Sequence, residues 1–149
     1  MARTTQSNGA KLAEESSSST VVPVVGIGAS AGGLGALKLL LPAIHPGSGV
    51  AFVLVQHLDP DHESSLAELL RRLSPIPVVL IANEMPVEAN HLYVIPRNAS
   101  LTILDDRLHV APPVESRGLR MPIDGFFLSL AESRADRAAG VILSGTGSD

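Results

Sequence analysis

Cysteine is absent from the 149 residues, which at once removes disulfides, thiolate metal sites and a cysteine nucleophile, and leaves the redox compartment open. Basic runs are missing too. Lys and Arg total 11 against 15 Asp and Glu, for a formal net charge of −4, so nothing offers a footprint for a phosphate backbone, and nucleic acid is not an expected partner. Residues 1–20 carry Arg3, Lys11, Glu14 and Glu15 among Ser, Thr and small residues, without the apolar stretch that a signal peptide needs. A cytoplasmic location is therefore expected. The longest apolar runs, such as Val50 to Val55, are far too short to cross a bilayer as helices, and no membrane insertion is expected. No internal repeat is found.

What is present is one domain's worth of chain with an apolar share of 45%, ordinary for a packed core. Residues 1–20 end in Ser16-Ser17-Ser18-Ser19-Thr20, too polar to offset chain entropy by burial, and are expected to form a disordered leader. From Val21 the pattern changes. Val21-Val22-Pro23-Val24-Val25 runs into Gly26-Ile27-Gly28, and Leu34, Leu37, Leu40 and Leu41 follow at helical spacing, which predicts a strand, a glycine turn and a helix. Residues 50–55 form a continuous apolar run, as in a strand buried on both faces of a parallel sheet, and Leu66, Leu69, Leu70 and Leu73 mark a second helix. A third strand is expected over residues 75–81. Shorter β segments are expected at 91–95, 101–104 and 108–111, with Asp105-Asp106 as a hairpin turn. A helix over residues 123–139 and a strand over 138–143 close the sequence. The alternation implies a doubly wound, mostly parallel α/β sheet flanked by helices, with a small antiparallel hairpin region.

Three polar clusters directly follow three of the expected parallel strands, where open α/β sheets place their sites. They are Gly28-Ala29-Ser30-Ala31-Gly32-Gly33, Gln56-His57-Leu58-Asp59-Pro60-Asp61-His62 and Ser144-Gly145-Thr146-Gly147-Ser148-Asp149. The first matches G-x-S-x-G, whose glycines permit a tight strand-to-helix turn that lifts a serine hydroxyl clear of the sheet. A serine hydroxyl is a weak nucleophile and needs a base; His57 ends the next strand, and Asp149 can orient the imidazole. The order Ser, His, Asp differs from the order of the α/β-hydrolases.

Other readings compete. Gly26, Gly28 and Ala31 also fit the dinucleotide pattern G-x-G-x-x-G/A, although the second strand ends on Gln56-His57 where that site wants an acidic residue. Ser30 alone in a glycine turn reads more readily as a helix N-cap than as a nucleophile, a reading that the other two clusters weaken. His57, Asp59, Asp61 and His62 could form a metal cluster, but no cysteine or helical H-E-x-x-H supports one; neither metal nor cofactor is expected. His62 is placed near the site mouth as a substrate contact. Arg71-Arg72 and residues 134–137 read as solvated helix faces.

Taken together, the segments 28–33, 56–62, 91–96, 122–127 and 141–149 resemble the CheB-type protein-glutamate methylesterase domain of bacterial chemosensory systems, in family order over residues 21–149. The variants at 56–62 and 144–147 are most similar to the subgroup fused to a CheR-type methyltransferase. The resemblance implies hydrolysis of glutamyl methyl esters on methyl-accepting chemotaxis receptors, with glutamine deamidation as a second activity. It carries the nucleophile onto Ser30, the base onto His57, the orienting acid onto Asp149, and oxyanion or substrate contacts onto Ala31, Thr146, Gly147 and His62. It also implies a receptor as partner and a CheR-type methyltransferase domain as a second. Two residues depart from the family pattern: Ala31 stands where Thr is usual, and Thr146 where many members have Met. The family continues beyond the triad Asp, so residues 21–149 are expected to be a methylesterase domain lacking its C-terminal part. Weak or absent esterase activity is expected on that account, with a non-catalytic α/β interaction module as the alternative.

Overall fold

The computed structural model describes residues 20–56, 63–113 and 121–143. Strand β1 (Val24–Ala29) leads through a 3₁₀ turn (Ala31–Gly33) into helix α1 (Leu34–Leu40), and β2 (Ala51–Gln56) precedes α2 (Glu63–Leu73). Then come β3 (Val78–Leu80), β4 (Met85–Pro86), β5 (Leu92–Val94), β6 (Ser100–Leu104), β7 (Arg107–Ala111), helix α3 (Pro122–Arg134) and β8 (Ala138–Leu143). A five-stranded sheet has the order β3-β5-β2-β1-β8, and each of its pairings is parallel. A second sheet, β4-β7-β6, is antiparallel.

The expected fold class is therefore observed, with three revisions. Residues 91–95 do not belong to the hairpin region: β5 inserts between β2 and β3, with Phe52 opposite Leu92 and Val78 opposite Leu92. Two-residue β4 was not expected at all. The helix expected over 123–139 ends at Arg134, where Ala135 takes φ 46° and turns the chain through residues 135–137 into β8.

Two apolar cores sandwich the main sheet. On one face Ile27, Ala29 and Leu54 pack with Leu37 and Leu41 of the α1 region and Leu66 and Leu70 of α2. On the other, Val53, Val55 and Tyr93 pack with Leu101, Ile103 and Leu108 of the small sheet and with Ile123, Phe126 and Leu130 of α3. The continuous apolar run of β2 thus serves both faces, as a parallel central strand must.

Helix α3 approaches β1 closely because β1 has glycine on that face. A Cβ on Gly28 would lie 2.6 Å from Ile123 Cγ2, and one on Gly26 would lie 2.9 Å from Phe127 Cε1. Arg134, at the end of α3, is buried instead of solvated, a correction to the helix-face reading. Its Nη2 lies 2.9 Å from Asp106 Oδ1 in the β6–β7 turn, and Nη1 donates to Ser133 Oγ at 3.0 Å. The short distance to Asp106 is an ion-pair contact without hydrogen-bond alignment, since Nε and Nη2 have no aligned acceptor. Arg71 and Arg72 of α2 are exposed, as expected.

Tyr93 ties the two sheets. Its hydroxyl accepts the Glu88 N–H at 2.9 Å and donates to the Pro86 carbonyl at 3.2 Å. Burial pushes the phenol above its ordinary value of 10.0; the Glu88 N–H bond acts against that rise and the Glu88 charge adds to it.

Gly28→Val is expected to lower stability by about 1–3 kcal/mol through overpacking against Ile123. By contrast, Gly35→Ala in α1, where an added Cβ meets nothing within 4 Å, is expected to raise it by about 1 kcal/mol. Thermal or urea unfolding of the two variants measures both. For Tyr93 the sign follows from its raised value. The folded state holds the neutral phenol, so its contribution is complete below the unfolded value of 10.0 and is lost as pH rises through the higher folded value. Tyr93→Phe should cost about 1 kcal/mol at neutral pH and flatten the alkaline fall of the unfolding midpoint.

Candidate active site

The three polar clusters start from strand ends that lie level. Ala29, the last residue of β1, is opposite Gln56 at the end of β2 on one side and Leu143 at the end of β8 on the other. Adjacent strands are spaced about 4.8 Å apart, so the chain leaves the sheet toward residues 30, 57 and 144 from three neighbouring points. Strand β1 is also where the winding reverses, because the first crossover runs from β1 to β2 and the last strand, β8, returns to the opposite side of β1. Open α/β sheets bind ligands outside the carboxyl ends of the strands at such a reversal.

Ser30 stands at that reversal. It is half-buried, with extended backbone (φ −84°, ψ 177°), and begins the 3₁₀ turn in which the Gly33 N–H donates to the Ser30 carbonyl at 2.8 Å. The serine is therefore presented without the backbone strain associated with an α/β-hydrolase elbow. Its side chain makes no capping hydrogen bond to the turn, which takes away the N-cap reading. Gly33 is what lets the turn lie flat on the sheet. A Cβ there would sit 2.9 Å from Ala29 Cβ and 3.2 Å from the Leu143 carbonyl oxygen, which is backbone and cannot swing aside.

The glycines of the dinucleotide pattern serve a different end. Gly26 and Gly28 give their missing side chains to Phe127 and Ile123 of α3, not to a phosphate at the end of the strand. A dinucleotide cradle needs that freedom for close approach of a pyrophosphate, so this pattern is explained by helix packing.

Gln56 is the one buried polar residue at this edge among the described residues. It is 9% exposed, and its Oε1 has no hydrogen-bond partner. An unpartnered buried acceptor costs about 1–3 kcal/mol, which calls for an explanation. In the sequence Gln56 stands out only as a non-acidic residue at a strand end; its burial with an unpartnered oxygen needs the fold.

His57, His62, Thr146, Gly147 and Asp149 lie outside the described residues, as does the alternative metal cluster at 57–62, and for Ala31 only the backbone is described. Among the described residues no group of three or more His, Cys, Asp or Glu is placed to hold a metal ion. No helix among them is long and apolar enough to cross a membrane.

A mostly parallel sheet flanked by helices, with a serine turn at its reversal, places the chain among the doubly wound α/β proteins. Residues 25–149 match the CheB methylesterase family, and the chain belongs to it. A protein-glutamate methylesterase/protein-glutamine glutaminase of Bordetella avium is 36% identical over 134 residues, covering 89% of this chain and 39% of the relative. A counterpart in Paramagnetospirillum magneticum is 34% identical over 128 residues, covering 85% and 36% respectively. The chain thus spans less than half the length of these two relatives. The catalytic domain of the Thermotoga maritima CheB methylesterase superposes with a TM-score of 0.71 at 25% identity, covering 85% of this chain and 69% of that one.

Proposed function

We propose that the chain acts as a protein-glutamate methylesterase on methyl-accepting chemotaxis receptors, by a Ser–His–Asp mechanism with Ser30 as nucleophile. The observation that carries the reading is the level alignment of Ala29, Gln56 and Leu143, which starts the serine turn and the segments bearing His57 and Asp149 from adjacent points. Membership of the CheB methylesterase family supports the same reaction class.

In this reading the Ser30 hydroxyl attacks the γ-carbonyl carbon of a glutamyl methyl ester while His57 takes its proton. Asp149 holds the imidazole and stabilises its charged form. Negative charge gathers on the carbonyl oxygen, and backbone N–H groups at Ala31 and in the Thr146–Gly147 loop receive it. Neither needs a particular side chain for this, so Ala and Thr at these two positions are compatible with the role. Collapse of the intermediate expels methoxide, which leaves as methanol with the proton from His57. Water, activated by the same base, then hydrolyses the acyl-enzyme, leaving the γ-carboxylate of the receptor's glutamate and returning the proton to Ser30. With a glutamine side chain the same steps release ammonia, in line with the double name of the Bordetella and Paramagnetospirillum relatives. His62 contacts the substrate at the site mouth. A CheR-type methyltransferase is the partner activity that makes the ester, and the cytoplasm is the compartment in which both meet the receptor.

Methanol release from a receptor-derived glutamyl methyl ester peptide measures the reaction. Release from the chain is expected to be weak, in keeping with the shortened domain, yet above background, and Ser30→Ala should bring it down to the uncatalysed rate, since loss of a triad nucleophile removes on the order of 10⁶-fold of kcat. Release that survives Ser30→Ala, or that never rises above background in the unaltered chain, would overturn the proposal in favour of a non-catalytic module.

A further inference from the structure

Gln56 combines three features that no structural role explains together. It is nine-tenths buried, its acceptor oxygen has no partner, and it stands opposite Ala29, the residue before Ser30. Side chains alternate along β2: Ala51, Val53 and Val55 belong to the core under α3, and Leu54, with Phe52 packed against it, to the core under α1 and α2. Gln56 therefore continues the Phe52–Leu54 face, which is also the face of Ala29. The Ser30–Gly33 turn folds over that same face, because the Cβ direction of Gly33 points at Ala29 Cβ from 2.9 Å. Gln56 and the serine turn thus lie on one side of the sheet, with Gln56 one strand over from Ala29, the residue that leads into the turn.

An apolar side chain of the same length would suit this place better if packing were all that mattered, since the position is buried and its acceptor oxygen finds no donor there. A buried acceptor kept without a donor is a local conflict, and such conflicts collect at functional sites, where they are relieved in a state other than the resting one. We propose that Gln56 is a positioning residue for the Ser30 turn: its Oε1 takes up a hydrogen bond from the turn when substrate engages, and so holds the nucleophile in its attacking position. The inference rests on the methylesterase reading of the site and names a residue outside the serine, histidine and aspartate.

Gln56→Met tests it, because Met matches the length and flexibility of Gln and removes both polar atoms. Two measurements are read side by side: thermal unfolding, and the kinetics of methanol release from a glutamyl methyl ester peptide. The expected result is an unfolding midpoint equal to or above that of the unaltered chain, with kcat reduced about tenfold and KM changed less than twofold. A merely structural role predicts the reverse, a lowered midpoint with activity falling only as folded protein is lost. That result, a variant that fails to fold, or an unchanged kcat at unchanged stability would each overturn the inference. Absence of Ser30-dependent turnover in the unaltered chain removes the underlying reading as well, and so separates the two failures.

Discussion

The close packing of α3 against the glycine face of β1 is the contact on which the rest of the arrangement depends. Ile123 and Phe127 occupy the space that side chains at positions 28 and 26 would fill, and Phe127 also lies against Gly140 of β8. One helix therefore sits over two adjacent strands and fixes them in a common register, Gly26 opposite Gly140 and Ala29 opposite Leu143. With the register fixed, the strand ends come level. A slip of one residue would exchange the two faces of β8 and move its end away from the Ser30 turn.

The second dependency runs through the small sheet. Phe126 and Leu130 of α3 pack in the same core as Leu101, Ile103 and Leu108, and Ser129 donates to the Phe126 carbonyl while accepting the Ile103 N–H of β6. Arg134 extends this attachment to the hairpin turn at Asp106, whose carbonyl also accepts the Val87 N–H. The antiparallel sheet is thus a platform under α3, remote from the serine yet connected to it through the helix.

Much of this was legible in the residues. The βαβ start, the buried central strand at 51–56 and the final strand at 138–143 follow from apolar runs of strand length bounded by glycine and polar clusters. The turn at Asp105-Asp106 was legible because Asp tolerates the left-handed conformation, and both residues adopt positive φ. Strand order was not. Residues 92–94 read as strand in any environment, and only the packing of Leu92 with Leu54 and Leu70 places them between β2 and β3. The end of α3 was hidden because residues 135–139 are Ala and Arg among others, good helix formers; the chain leaves the helix at Ala135 despite propensity, and tertiary context decides. Arg134 was misread for a related reason. Its position on the helix looks solvent-facing until Asp106 arrives from the hairpin.

The site was legible to a different depth. A sequence pattern records where a side chain is missing but not what uses the gap, so Gly28 fitted a phosphate cradle and a nucleophile turn alike. In the fold, the two glycines that make the dinucleotide pattern face a helix, and the glycine that shapes the serine turn is Gly33, which that pattern does not include. The choice between the readings therefore falls on which backbone must come close to which neighbour. At Gly33 the neighbours are Ala29 and the Leu143 carbonyl, so the turn bearing Ser30 is pressed onto the ends of β1 and β8 together. A nucleophile needs that kind of fixed seat more than a bound phosphate does. A phosphate is held by several donors that can adjust around it, whereas attack on a carbonyl requires one oxygen held at one distance and angle.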